Sequence, residues 1–126
     1  MFWKREIGNK GERLAVQFLK RKGLRVLEHS YRTKAGEIDI VTQDQESLCF
    51  VEVKVRKNRR FGTPAEAVDD RKQQQISKAA LWYLQSKKLT DVPCRFDVIA
   101  IEYDENEKPQ IQWIKNAFEL SVRYRY

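Results

Sequence analysis

Two short apolar runs of the sequence carry three ionisable residues that together could hydrolyse a phosphodiester. Asp39 lies in the first run, and Glu52 and Lys54 lie in the second. Carboxylates on neighbouring strands can bind Mg²⁺, which prefers oxygen ligands, and the backbone carbonyl of Val53 could supply one more. A lysine in the same cleft could orient the attacking water or stabilise charge on the phosphate. The three residues therefore favour a metal-dependent nuclease.

Both runs are typical of β-strands, whose side chains alternate between the two faces of a sheet. In the second run, Glu52 and Lys54 then share one face, and the valines between them line the other. In the first run, Ile38 and Ile40 point one way and Asp39 points the other. The alternation predicts that the three ionisable residues lie on neighbouring strands at one site.

A simpler interpretation must be weighed against this site. Acids and lysines alternate with Val and Ile on many half-buried strands, and a single Glu-Val-Lys tripeptide indicates little. The acid of the first strand, the short intervening turn and the Glu-x-Lys of the next strand agree with one another, however. Their apolar surroundings also favour function, because isolated buried charges are costly unless they are used or paired.

The composition of the whole chain is that of a soluble globular protein, and its positive charge favours an anionic partner. A length of 126 residues suits one domain, residues 1–126. Lys and Arg number 25 against 18 Asp and Glu, and the net charge of +7 favours nucleic acid. No run approaches the roughly 20 apolar residues of a membrane helix, and no signal core opens the chain. We therefore expect no membrane partner and a cytoplasmic location.

Hydrophobic periodicity divides the chain into alternating helices and strands. A helix is predicted from Asn9 to Lys22, with Asn9 as its cap and Glu12 at the third helical position. The strand Leu24–Glu28, the Asp39 strand and the Glu52 strand have short links, which predicts an antiparallel meander. A second helix is predicted from Thr63 to about Lys88.

The last third of the sequence adds two strands. Cys94–Ile101 is apolar on both faces and is predicted to be a central, covered strand, in which Asp97 is better explained by an ion pair with Arg95 than by a metal. Gln110–Ile114 is predicted to be peripheral, followed by a helical turn at Asn116–Leu120 and a flexible basic tail, residues 121–126. These elements predict an α/β fold with a mixed central sheet flanked by helices.

Several basic residues surround the predicted site. The loop of residues 56–62 leaves the Glu52 strand directly and is either a solvated loop or a grip on backbone phosphates, through Arg56, Lys57, Arg59 and Arg60. Lys72 falls on the apolar stripe of the second helix. Its ammonium group either escapes to water along the protein surface or reaches the Asp39 and Glu52 cleft.

Four segments together resemble a known family: Gly8-x-x-Gly11-Glu12, Gly36-Glu37-Ile38-Asp39, Phe50-Val51-Glu52-Val53-Lys54-x-Arg56 and Arg95-Phe96-Asp97-Val98. This pattern resembles the YraN family, also called UPF0102, which is predicted to be related to archaeal Holliday-junction resolvases. The resemblance implies the PD-(D/E)xK, restriction-endonuclease-like core. It also implies cleavage of DNA, including branched or irregular structures, with Mg²⁺ that Mn²⁺ can replace, and a homodimer as in the resolvases.

The resemblance also implies roles for individual residues. Asp39 and Glu52 match the metal-binding acids, Lys54 matches the lysine, and Glu12 matches an acid that resolvases place on the first helix. For Glu12 this role stands beside that of a helix cap. Ser30 stands where the family usually has Asn, which affects a contact near the metal and leaves the triad intact.

Two other functions remain open at this stage. One is a nucleic-acid-binding module that keeps the nuclease fold with little or no cleavage. The other is a soluble interaction protein whose basic surface meets an acidic partner. The intact Asp39, Glu52 and Lys54 favour the enzyme over both.

Overall fold

The computed structural model describes the backbone of residues 2–56 and 68–120, and the side chains from residue 10 onward within those ranges. Within these residues, two helices and five strands follow one another in the order α1 (Phe2–Arg21), β1 (Arg25–Arg32), β2 (Glu37–Asp44), β3 (Ser47–Arg56), α2 (Asp70–Ser86), β4 (Cys94–Tyr103) and β5 (Pro109–Phe118). Neither helix combines the length and the apolar character that a membrane crossing needs.

The five strands form one mixed sheet in the order β1-β2-β3-β4-β5. The pairs β1–β2, β2–β3 and β4–β5 are antiparallel, and β3–β4 is parallel. The parallel pair requires a crossover, and the crossover segment contains α2. The predicted meander, the mixed sheet and the α/β class are confirmed, and the architecture is consistent with a restriction-endonuclease-like core.

Each face of the sheet has its own apolar cluster because strand side chains alternate. On one face α2 packs over a cluster that includes Phe50, Ile76, Tyr83 and Val98. On the other face α1 packs over a cluster that includes Ala15, Leu19, Val51 and Ile99. Residues 96–101 of β4 are buried, so the prediction of a strand covered on both faces is confirmed.

The N-terminal helix begins earlier than its predicted cap. It starts at Phe2, so Asn9 lies inside the helix and the prediction that Asn9 caps it was wrong. The segment before Asn9 contains no proline, and a single helical glycine costs only about 1 kcal/mol. Glu12 is therefore far from the first turn, and helix capping no longer accounts for it.

The second helix begins later than predicted. Asp69 is its N-cap, with φ −72° and ψ 173°, and its side chain accepts a hydrogen bond from the N–H of Lys72 at 2.9 Å. This extended backbone ends any continuous helix from Thr63, so that prediction was wrong. The proposed start at residues 63–66 itself lies outside the described residues.

The two ends of the sheet also extend beyond their predicted limits. β1 continues to Arg32, because the turn that follows is closed by Thr33, whose hydroxyl donates to the carbonyl of Gly36 at 2.9 Å. β5 continues to Phe118, so the predicted helical turn at residues 116–120 was wrong. Its Asn116 N–H donates to the buried carboxylate of Asp97 at 2.9 Å, which holds this segment against β4.

Candidate metal centre

Strands β2 and β3 separate at the point where the predicted acids lie. Their pairing ends at Ile40 and Val51. Beyond that point the N–H of Val53 donates to Oδ2 of Asp39 at 2.8 Å, so a side chain replaces a main-chain acceptor of β2. The N–H and C=O of one residue in an antiparallel pair point to the same edge, so the carbonyl of Val53 faces this opening too. The opening thus contains the oxygen donors that the sequence predicts for a metal.

The regular alternation of β2 breaks at Asp39. Ile38 belongs to the cluster under α2 and Ile40 to the cluster under α1, so the prediction that they share a face was wrong. The break occurs where β2 leaves β3. It also lies opposite Ser30 of β1, which has a left-handed φ of 51°. In β3 the alternation holds: Phe50 lies under α2, and the valines that alternate with the Glu-x-Lys residues lie under α1.

Two carboxyl groups adjoin in the opening and are poorly solvated. Glu52 is only 5% exposed, and Asp39 is half-buried. Burial raises the pKa of Asp39 from 3.8 to about 8, and the negative charge of Glu52 adds to the increase. Burial likewise raises the pKa of Glu52, against the opposing charges of Lys72 and Lys54. Burial and the proximity of the two acids therefore favour the binding of a proton or a cation between them.

Lys72 of α2 reaches the same opening from the α2 face. Its Nζ lies 3.6 Å from Oε1 of Glu52, so its side chain is directed into the cleft. The other oxygen of Glu52, Oε2, is buried and has no hydrogen-bond partner among the described residues. A buried oxygen without a partner is costly, and a bound cation would satisfy it. The donor set and this orphaned oxygen fit a Mg²⁺ or Mn²⁺ ion.

The structure places Glu12 on the opposite wall and adds an acid that sequence reasoning missed. Oε2 of Glu12 accepts a hydrogen bond from Oγ of Ser30 at 3.0 Å. One carboxylate oxygen each from Glu12, Glu37 and Asp39 lie within 4.8 Å of one another. Strand periodicity alone did not indicate Glu37, because the alternation of β2 breaks at Asp39.

Asp97 does not belong to this centre. Its fully buried carboxylate accepts hydrogen bonds from the guanidinium of Arg95 at 3.0 Å and from the indole of Trp113 at 3.0 Å, besides the Asn116 N–H. Arg95 also bonds to Asp44 at 2.9 Å. The prediction of a structural ion pair for Asp97 is confirmed.

Sequence comparison identifies the family once this geometry is known. The profile described as "Uncharacterised protein family UPF0102" matches residues 11–101. The chain belongs to UPF0102. The UPF0102 protein of Geotalea daltonii is 51% identical over 115 residues, which cover 91% of each chain. Those of Geotalea uraniireducens and Vibrio parahaemolyticus are 45% and 47% identical, over 93% of this chain and 92% and 95% of theirs.

A cleft adjoins the metal centre of this UPF0102 chain on the α1 side. It encloses about 390 Å³ and is lined by Glu12, Arg13, Val16, Gln17, His29 and Ser30. The lining combines a guanidinium, an imidazole and an amide with the carboxylate of Glu12. Such a wall offers hydrogen-bond donors next to the acids.

The predicted basic grip is only partly described. Arg56 ends β3, one strand period after Lys54, which places it on the same side of the strand as the Glu-x-Lys residues. Lys57, Arg59 and Arg60 lie outside the described residues. Lys54 is close enough to Glu52 for its charge to lower the pKa of that acid. The structure thus brings Asp39, Glu52, Lys54 and Lys72 together.

Proposed function

We propose that this protein is a divalent-cation-dependent endonuclease that hydrolyses phosphodiester bonds in DNA, with branched or irregular DNA as its expected substrate. The observation that carries the proposal is the adjoining pair of Asp39 and Glu52 in the opening between β2 and β3. Burying two acids side by side costs stability, which makes a purely structural role a poor explanation. A cation and a phosphate would together account for these acids and for the lysines beside them.

The residues of the site have separate roles in this proposal. Asp39, Glu52 and the Val53 carbonyl hold Mg²⁺ or Mn²⁺, and the Val53 N–H keeps the Asp39 carboxylate aimed at it. When bound, the ion supplies neutralisation of the phosphate and a more acidic water. Lys54 orients that water or stabilises charge on the phosphate.

Lys72 and the surrounding basic residues bind the polyanion. In the structure, Lys72 is paired with Glu52, and a cation that takes over Glu52 would leave the ammonium group available for a phosphate. In the sequence, Arg56 is followed directly by the basic loop, which adds further positive charge after the Glu52 strand. The net charge of +7 supports an anionic substrate through long-range attraction.

The decisive experiment is a cleavage panel. The full chain is incubated with Mg²⁺ or Mn²⁺ and with four-way junctions, flaps, duplexes and single strands of DNA, and with RNA. We expect cleavage of at least one DNA structure, and a loss of roughly 100-fold or more in Glu52→Gln, because that variant removes a ligand carboxylate at almost unchanged volume.

Glu46→Gln is the matched control, because Glu46 is an exposed acid in the turn between β2 and β3. It should cut at the wild-type rate. Cleavage that persists at the wild-type rate in Glu52→Gln would show that the activity arises elsewhere. Binding of these substrates without cleavage under any condition would replace the enzyme with a nucleic-acid-binding module.

A further inference from the structure

A cleft lies between α1 and the edge strand β1, directly beside the metal centre. It encloses about 390 Å³, a volume within the usual range for pockets that bind small ligands. Glu12 lines this α1–β1 cleft and also lies within 4.8 Å of Asp39, measured between carboxylate oxygens. A group bound in the cleft would therefore lie next to the phosphodiester that the proposed enzyme cuts.

The core of the protein holds both walls of the α1–β1 cleft in place. On α1, Ala15 and Leu19 are fully buried against the sheet. On the other side, β1 pairs with β2 from Arg25 to Arg32. The hydrogen bond from Ser30 of β1 to Glu12 of α1, at 3.0 Å, joins the two walls. The cleft is thus formed before a ligand binds, so little ordering cost opposes its occupation.

The lining of the cleft combines hydrogen-bonding groups with an apolar surface. Val16 lines the cleft and also packs against the apolar cluster under α1. Gln17 follows Arg13 by one helical turn, so the two side chains are neighbours, and His29 lies across from them on β1. In the described part of the chain, no hydrogen bond or ion pair engages the side chains of Arg13, Gln17 or His29. These groups are therefore available to a ligand.

This lining favours a nucleobase over a phosphate. A phosphate carries negative charge, which the carboxylate of Glu12 repels. A nucleobase is uncharged, and its flat face can pack on Val16 and stack on the Arg13 guanidinium. Its edge offers both donors and acceptors, as do the amide of Gln17 and the imidazole of His29.

The length of the cleft along α1 fits a nucleotide next to the metal centre. A helix rises about 1.5 Å per residue, so Gln17 lies about 7.5 Å beyond Glu12 along the helix axis. Stacked bases of one strand are about 3.4 Å apart. The cleft therefore extends about two stacking steps from Glu12, which is enough for the base of a nucleotide that flanks the cleaved bond.

We propose that the α1–β1 cleft receives an unpaired nucleobase of the DNA, from the nucleotide that flanks the cleaved phosphodiester. The inference rests on the proposed function for its substrate, and it assigns Val16 and Gln17 as specificity-determining residues. A base stacked in a duplex cannot enter the cleft, whereas an unpaired base leaves its stack at a smaller energetic cost. The cleft thereby selects irregular DNA over a regular duplex.

The test measures binding of the full chain to fluorescein-labelled DNA in EDTA, where no metal-dependent cleavage occurs. One duplex is perfectly paired, one carries a bulged 2-aminopurine, and one carries an abasic bulge, which distorts the DNA in the same place without offering a base. Fluorescence anisotropy should show at least about tenfold tighter binding to the 2-aminopurine bulge than to the other two, the size expected for contacts with one base. Binding should also protect the 2-aminopurine from quenching by acrylamide.

Two substitutions in the cleft should remove this preference. Gln17→Ala removes a contact with the base edge, and Val16→Phe fills the cleft, so each should weaken binding of the 2-aminopurine bulge at least about fivefold and leave binding of the perfect duplex unchanged. Gln17 is exposed, which makes its substitution safe for folding, and thermal unfolding checks Val16→Phe. Gln112→Ala, which changes an exposed glutamine of β5 outside the cleft, is the matched control and should bind as the wild type does.

Equal affinity of the wild type for the two bulges overturns the inference. So does a Gln17→Ala variant that keeps both the preference and the protection from acrylamide. A base-dependent preference that Gln17→Ala loses supports the inference even when no DNA is cut with Mg²⁺. Cleavage of DNA without any such preference overturns the inference and leaves the nuclease proposal standing, so the two failures are distinguishable.

Discussion

Replacing Asp39 with Asn should stabilise the metal-free protein, and the gain should increase with pH. The Asn side chain can still accept the hydrogen bond from the Val53 N–H, so the contact between β2 and β3 is retained. The substitution removes only the charge. Burial, followed by the charge of Glu52, places the pKa of Asp39 at about 8 in the folded protein, against 3.8 ordinarily.

The sign and size of the effect follow from this difference. The pKa of Asp39 is higher in the folded protein than in the unfolded chain. Its contribution to the free energy of unfolding is therefore fully present below about pH 4 and is lost as the pH rises through 8. About four pH units would correspond to a ceiling of about 6 kcal/mol. Because relaxation and water entry reduce such costs, we expect the advantage of Asp39→Asn to grow by about 2 kcal/mol between pH 5 and pH 9.

The assay is urea unfolding in EDTA at pH 5, 7 and 9, followed by tryptophan fluorescence. Glu46→Gln, which removes an exposed charge, should show no comparable change with pH. Addition of Mg²⁺ should stabilise the wild type more than Asp39→Asn, because a ligand that binds the native state raises its stability. A stability gain of Asp39→Asn that does not change with pH, or one that Mg²⁺ increases, would refute the inference that Asp39 is a buried acid able to bind a cation.

Two further substitutions test how the acids are positioned. Ser30→Asn should raise the free energy of unfolding by about 0.5–1 kcal/mol, because Asn tolerates the left-handed φ of 51° better than Ser and can still donate a hydrogen bond to Glu12. A lower free energy of unfolding in urea would contradict this. Gly11→Ala should cost about 1–3 kcal/mol although alanine favours helices, because its Cβ would lie 2.6 Å from Cγ2 of Val55. A gain in stability would show that α1 can shift freely.

Local sequence patterns were sufficient to predict most of the helices and strands and to single out Asp39 and Glu52. Strand alternation and short turns depend on neighbouring residues, and they correctly predicted the β1-β2-β3 meander and the shared face of Glu52 and Lys54. Lys72 was singled out because a lysine on an apolar stripe is unusual. The capping pattern at Asn9 and Glu12 was misleading, because a capping sequence can also occur inside a longer helix.

The positions of the other site residues depend on where β2 separates from β3. The periodicity of a single strand does not predict that point. Ile38 and Ile40 were assigned to one face because an uninterrupted strand would place them there. The departure of β2 from β3 and the left-handed Ser30 change that geometry. One carboxylate oxygen each from Glu12, Glu37 and Asp39 lie within 4.8 Å of one another in this region. The family resemblance had already placed Glu12 near the metal, whereas Glu37 could be added only from the tertiary structure.

The parallel pairing of β3 with β4 has a consequence for how the chain folds. The meander that carries Glu37, Asp39 and Glu52 closes through short turns, whereas β4 pairs with β3 only after the intervening crossover has been ordered. Long loops are slower to close because more chain entropy must be lost. We therefore expect the three acids to come together early in folding, before α2 delivers Lys72 to them.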